Sequence, residues 1–245
     1  LLSELLRALR GGPAKEASNL QNRSLEFVLF LTLPAAAAIW VLSDEMIRVV
    51  YEHGAFTASM TSNVASTLAI YGLGLPGFVM IKALNPGFFA REDTKTPMRF
   101  TGIAVAVNCA LAISLFPFFT ERGIATAEVV SGWTTVILLF TTLVRRGHWD
   151  WENAFGWRIV RLVIAAGVMA MAIHYASQYA APWLQPTSSI WNQIAALFAL
   201  IFLAMLVYFS TAFAIGGASL RMITGSLKRK PGSKATPLPP SDGLE

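Results

Sequence analysis

The sequence predicts an all-α protein, a polytopic membrane helical bundle with six transmembrane helices. Three observations carry that prediction. Of the 245 residues, 55% are hydrophobic and only 13% are charged, against about 25% charged in a typical soluble domain. The deficit is concentrated in six apolar runs, Leu25–Ser43, Val64–Phe89, Met98–Phe119, Ile124–Val144, Ile159–Tyr179 and Ile190–Ile215. Each approaches or exceeds the ~20 residues a helix needs to cross hydrocarbon. Basic residues, finally, alternate between the segments that join the runs.

Ahead of the first run, Leu2, Leu5, Leu6 and Leu9 fall on one helical face, and Gly11-Gly12-Pro13 stops the pattern. Residues 1–23 are therefore expected to form an amphipathic segment at the cytoplasmic interface, or the end of an upstream span. The chain starts at Leu1 in mid-pattern, as the C-terminal portion of a longer protein would. Pro34 interrupts the first run, and four alanines, Ala35 to Ala38, follow it. Proline is tolerated in membrane helices, and small residues let helices approach closely. Glu45–Phe56 reads as a second amphipathic segment on the outer side, ending at Gly54.

The second run carries Gly72-Leu73-Gly74-Leu75-Pro76-Gly77, then Lys82, then Asn85-Pro86-Gly87. The glycine pattern matches GxGxxG, but a dinucleotide site needs a strand before it and a helix N-terminus after it. Inside a span and with a proline, it reads as a kink or a locally unwound stretch, where transporters flex or bind. Gly72, Gly74, Pro76, Gly77, Pro86 and Gly87 are accordingly the hinge candidates. Lys82 either snorkels to the headgroups or faces a water-filled cavity to meet an anionic headgroup. Asn85 and Asn108 fit interhelical hydrogen bonds or a transport path equally well, and with Lys82 they make up the substrate-path candidates.

The loop Arg91-Glu92-Asp93-Thr94-Lys95 is short, and Thr96-Pro97 reads as the start of the third helix, with proline at its first position. Arg91, Glu92, Asp93 and Lys95 are either solvated loop charges or a cytoplasmic gate that pairs with other loops in one conformation. Cys109, the lone cysteine, is expected to be a small buried hydrophobe in the third run. The fourth, fifth and sixth runs hold few charges, and no acidic residue is expected well inside a span. Trp133, Trp149, Trp151, Trp157, Trp183 and Trp191 read as an aromatic belt near span ends. From residue 217 the composition turns polar and proline-rich, so 217–245 are expected to be a disordered cytoplasmic tail; residues 24–216 form the bundle.

Orientation follows from the bases. Arg7, Arg10, Lys15 and Arg23 precede the first run; Arg91, Lys95 and Arg99 flank the second loop; Arg145, Arg146, Arg158 and Arg161 flank the fourth. Arg221, Lys228, Arg229, Lys230 and Lys234 lie in the tail. The intervening loops hold Arg48, then Arg122, then none. This is the positive-inside pattern of an even number of spans, with both ends cytoplasmic. The formal charge of +5 thus needs no nucleic-acid partner. His53, His148 and His174 have no metal-ligand spacing, and Walker A, HExxH and GxSxG motifs are absent. No metal, no cofactor and no covalent chemistry are expected. Asn22-Arg23-Ser24 fits a glycosylation sequon but lies on the predicted cytoplasmic side.

Three blocks together resemble the MurJ (MviN) family of lipid II flippases, within the multidrug/oligosaccharidyl-lipid/polysaccharide exporter superfamily. They are Glu52-His53-Gly54-Ala55-Phe56-Thr57, Tyr71-Gly72-Leu73-Gly74-Leu75-Pro76, and the stretch from Lys82 to Pro97, KALNPGFFAREDTKTP. Their mutual spacing matches as well. The resemblance covers roughly residues 1–146 and fades to hydropathy alone in the last two runs. It implies a bacterial inner-membrane protein of two six-helix lobes and two further helices, of which this chain holds the last six spans. The family's cationic cavity residues lie mainly upstream of this portion. The family's Lys-Val-Leu-x-Pro-like step corresponds to Lys82–Pro86, with Ala83 and Asn85 as departures. The last two runs would match helices forming a groove for the undecaprenyl tail. The implied partners are lipid II, membrane lipids and the absent N-terminal lobe. The implied action is transfer of the peptidoglycan precursor by alternating access. The rivals are an ion-driven exporter of drugs or other glycolipids, and a non-transporting membrane scaffold.

Overall fold

A computed structural model describes residues 14–149, 153–185 and 188–216. It contains six long helices: α1 Ala14–Tyr51, α2 Ala58–Phe89, α3 Lys95–Phe119, α4 Glu121–Arg145, α5 Asn153–Ala180 and α6 Ile190–Ala214. All six are long and apolar enough to cross a membrane. Successive helices run in opposite directions, so Arg91, Lys95, Arg99, Arg145, Arg146, Arg158 and Arg161 gather at one end, here called the basic end. The amphipathic stretch expected over residues 1–10 and the expected tail over 217–245 lie outside the described residues.

The first helix differs from expectation at both ends. Residues 14–23 continue directly into the first span, and Glu45–Tyr51 continue it on the far side with no separate outer helix. At 38 residues, α1 is about 57 Å long, well beyond the ~30 Å of hydrocarbon. The chain turns only after Tyr51, where Gly54 adopts φ +65°. Glu52 then ties the turn together. Its carboxylate lies 3.6 Å from Arg48 on α1 and accepts a 2.7 Å hydrogen bond from the Thr61 hydroxyl in the first turns of α2.

Helix α2 packs between α1 and α4; α4 lies between α2 and α3; α1 also carries α5 and α6. Within a bilayer, helix association gains little from the hydrophobic effect and depends on close packing. Small residues accordingly mark the seams. A β-carbon at Gly72 would lie 2.8 Å from Ile39 on α1, and one at Gly132 would lie 2.6 Å from the Phe78 ring. Two cores result. Leu29, Leu42, Met169, Ile173, Leu200 and Tyr208 join α1, α5 and α6. Leu25, Leu84, Phe88, Leu139, Leu143 and Trp149 fill the basic end between α1, α2 and α4.

Pro34 sits within an unbroken α1. A proline has no N–H, so the carbonyl four residues earlier, that of Phe30, loses its helical donor. The Tyr208 hydroxyl of α6 supplies a replacement, donating to Phe30 O at 2.8 Å in a fully buried site. The Phe30 ring packs against both Tyr208 and Phe209. A further tie joins α1 to α5, where buried Glu26 accepts a hydrogen bond from Arg158 at 2.8 Å.

Helix α3 is the outlier. Pro97 is its only buried residue, and it packs almost entirely on α4. Cys109, expected in the core, is therefore exposed. At the tip of the α3–α4 hairpin Thr120 adopts φ +49°, and Gly123 lets the backbone pass within 2.9 Å of Leu115 O, measured from the β-carbon it lacks.

Candidate functional site: the polar face of α2

The expected breaks in α2 do not unwind it. The helix is continuous from Ala58 to Phe89, through Pro76 and Pro86 alike. Its glycines instead admit neighbours. Gly72 meets Ile39, Gly87 meets the Gln21 amide, Gly74 meets Val129, and Gly77 lies under the Trp133 indole. Trp133, placed by its sequence in an aromatic belt, sits mid-helix and donates to Leu73 O at 3.1 Å. Trp149 likewise is buried rather than anchoring at an interface, whereas Trp157, Trp183 and Trp191 are exposed.

At about 100° per residue, the partners divide the surface of α2. Gly72, Ala83 and Gly87 point toward α1, and Gly74, Gly77, Leu84 and Phe88 toward α4. Tyr71, Phe78, Lys82, Asn85 and Phe89 fall within about 60° of one another; Phe78 seats against Gly132 of α4, and the others lie on the adjoining face, against which neither α1 nor α4 packs. Lys82 and Phe89 are exposed and Tyr71, Phe78 and Asn85 half-buried. Two of the three sequence-chosen path residues, Lys82 and Asn85, thus share one face. The third, Asn108, sits half-buried on α3, a helix that barely meets α2. Lys82 is seven residues from the end of α2, about 10 Å along the axis.

Glu128 of α4 completes this face. Its carboxylate accepts a hydrogen bond from the Tyr71 hydroxyl at 2.9 Å. It lies seven residues inside α4 and is exposed. The expectation that no acidic residue lies well inside a span therefore does not hold. Glu128 belongs to the fourth apolar run, but charge-poor surroundings concealed it, and its link to Tyr71 spans 57 positions. Nearer the tip, Arg122 of α4 donates to Asn63 of α2 at 3.0 Å.

The loop at the basic end is built in detail. Helix α2 closes on a double hydrogen bond, Glu92 N–H to Phe89 O at 3.0 Å and Asp93 N–H to Phe88 O at 3.1 Å. This places Glu92 at the left-handed position, φ +61°, that glycine usually fills. The α4 terminus uses the same motif with Gly147 at φ +67°. Asp93 then caps α3, accepting from Thr96 N–H at 3.0 Å and from its hydroxyl at 2.6 Å. Helix α3 consequently starts at Lys95, two residues before Pro97.

Arg146, beyond the end of α4, donates to Asp93 at 2.6 Å and to Thr96 at 3.1 Å. The Thr96 hydroxyl, the Arg146 guanidinium and the Thr96 amide together hold the Asp93 carboxyl down to about 2. Burial, then Arg91 and Arg146, push the nearby His148 below its ordinary value. Arg91 donates to Gly87 O at 2.6 Å. Glu92 and Lys95 make no ion pair among the described residues. Of the four gate candidates, then, Asp93 and Arg91 are committed within this bundle, and Glu92 and Lys95 are free. Arg146 was not visible as a member of the cluster, because its partners lie fifty positions or more away. No group of three or more His, Cys, Asp or Glu among the described residues can hold a metal ion.

A six-span α-helical bundle with one polar, uncovered face defines the class: a multi-pass membrane protein. The comparisons with known proteins go further. Residues 1–195 match the family model of the lipid II flippase MurJ. A probable lipid II flippase MurJ of Rhizobium tropici is 56% identical over 242 residues, 99% of this chain and 44% of that protein. One from Rhizobium meliloti is 56% identical over 229 residues, 94% of this chain and 43% of its own length. A solved structure of lipid II flippase MurJ in an inward closed conformation superposes with a TM-score of 0.68 at 22% identity, over 93% of this chain and 43% of that one. The chain belongs to the MurJ lipid II flippase family, and it spans somewhat less than half the length of these relatives.

Proposed function

We propose that this chain forms one wall of the path by which lipid II crosses a bacterial inner membrane, the basic end lying in the cytoplasm. The observation that carries the reading is the composition of the face of α2 that neither α1 nor α4 covers. A lipid-facing surface would be apolar throughout, yet this one carries Tyr71 with Glu128, then Lys82, then Asn85. Polar groups at membrane depth are costly unless they meet water or a polar partner. A pyrophosphate-linked sugar cannot cross hydrocarbon unaided, and such a stripe offers it polar contacts while its lipid tail stays outside. Lys82 is the cation placed to meet the anionic headgroup. Glu92 and Lys95 are the charges available to close a gate against the remainder of the transporter. Pro86 and Gly87, with Gly72, Gly74, Pro76 and Gly77, lie where α2 would bend between states.

The test is a chimera in which this chain replaces the homologous segment of the Rhizobium tropici relative, in cells depleted of their own flippase. We expect growth and lipid II export. Lys82→Met should lower export while leaving membrane insertion intact. Undiminished export by that variant would show Lys82 to be an anchor at the headgroups. No export by the unmodified chimera, once correctly inserted, would remove the reading altogether.

A further inference from the structure

The last two turns of α2 carry a run of unused binding groups. Lys82 and Asn85 have no ion-pair or side-chain hydrogen-bond partner among the described residues, whereas Asn63, also on α2, is taken by Arg122. Pro86 has no N–H, so the carbonyl of Lys82, four residues earlier, loses its helical donor. At Pro34 the same loss is made good by the Tyr208 hydroxyl. No side chain among the described residues donates to Lys82 O. Phe89 lies one turn beyond Asn85 and is 41% exposed, while its neighbour Phe88 is 1% exposed. The Phe89 ring meets no other ring among the described residues. Its backbone is nonetheless fixed: Ala90 N–H donates to Pro86 O and Glu92 N–H to Phe89 O, each at 3.0 Å. Cation, carbonyl, amide and aromatic ring thus follow one another along one face over about 10 Å.

We propose that Lys82 O, Asn85 and Phe89 form a sugar-reading site, which takes the saccharide joined to the pyrophosphate that Lys82 meets. The order of groups along α2 matches the order of groups in such a lipid. With the tail toward mid-membrane, the pyrophosphate comes next and the sugar lies beyond it, toward the basic end. Lys82 sits deepest, Asn85 about 4.5 Å nearer that end, and Phe89 at the end itself. Sugar hydroxyls can donate to Lys82 O and to the Asn85 carbonyl oxygen, and the Asn85 amide N–H can donate to a sugar oxygen. The C–H face of the ring can rest on Phe89, whose π-face is electron-rich. A lipid pyrophosphate without sugar would use Lys82 alone and leave the other three groups idle. A purely lipid-facing phenylalanine would need no amide or open carbonyl beside it. The inference rests on the reading of α2 as a wall of the path.

The test uses the same chimera, purified into proteoliposomes, with flipping of labelled lipid II competed by unlabelled lipid II or by the same polyprenyl pyrophosphate without its sugar. Lipid II should be the stronger competitor. Phe89→Leu, which keeps an apolar exposed side chain, should narrow the gap between the two competitors by about two- to tenfold. Phe89→Tyr should preserve it, and Asn85→Leu should narrow it as well. Lys82→Met should weaken both competitors alike. An unchanged gap in Phe89→Leu, correctly inserted, would overturn the proposal and make that ring a lipid anchor. So would a sugarless lipid that competes as well as lipid II against the unmodified chimera; the wall reading would survive both results. An unmodified chimera that inserts but flips nothing would remove the wall reading, and this site with it.

Discussion

Removing the Tyr208 hydroxyl tests the account of Pro34 directly. In Tyr208→Phe the packing of α6 on α1 is kept, but Phe30 O is left without a donor, because residue 34 has no N–H to offer. Interhelical hydrogen bonds in membranes average about 0.6 kcal/mol and reach about 1.7. A carbonyl abandoned in a buried site costs about 1–3 kcal/mol. The substitution should therefore sit near the upper end of the membrane range, about 1.5 kcal/mol. Replacing Pro34 by alanine restores a backbone donor to Phe30 O. In that background the same tyrosine change should cost only about 0.5 kcal/mol, leaving a coupling of about 1 kcal/mol. Equilibrium unfolding of the four proteins in mixed micelles measures it. Equal costs for Tyr208→Phe in both backgrounds would refute the idea that the tyrosine stands in for the missing amide.

The basic-end loop gives a pH prediction. His148 resists protonation in the folded state, so the unfolded chain takes up the extra proton and stability should fall as pH drops below about 6.5; His148→Gln should flatten that decline. Asp93, held at about 2, contributes stability that is present above about 3.9 and lost as pH falls toward its folded value. Glu92→Gly should raise stability by about 0.5–1 kcal/mol, since a side chain at φ +61° is strained; an unchanged unfolding midpoint would count against the α2 cap as described. Gly123→Ala should destabilise by about 1–3 kcal/mol, because its β-carbon would meet Leu115 backbone, which cannot step aside as a side chain can. A thermal-shift assay in detergent distinguishes that from a neutral change.

The number of spans, and the approximate limits of all but α1, were readable in the chain because they depend on length and hydropathy, which are local; α1 outran its apolar run at both ends. The exposure of Cys109 was not, because burial depends on which helix lies alongside, and α3 has only α4. Pairing across fifty positions, as in Asp93 with Arg146 or Tyr71 with Glu128, leaves no mark on either segment alone. Lys82 and Asn85 stood out as polar residues in an apolar run. Their common face with Tyr71 follows from helical periodicity once α2 is known to pass unbroken through Pro76. The break expected at Gly72–Gly77 shows the limit of composition: glycine permits flexibility and close packing alike, and here the neighbours fill the space.

The seam between α2 and α4 works as a pair of opposed notches. Val129 of α4 seats at Gly74 of α2, and Phe78 of α2 seats at Gly132 of α4. Sliding either helix by one turn would unseat both at once, so the two share a single register. Any bending at Gly72–Gly77 must then carry α4 with it, and α3 follows through the Asp93–Arg146 clasp. The moving part of this wall is thus a three-helix panel, pivoting against α1, and not a single flexing rod.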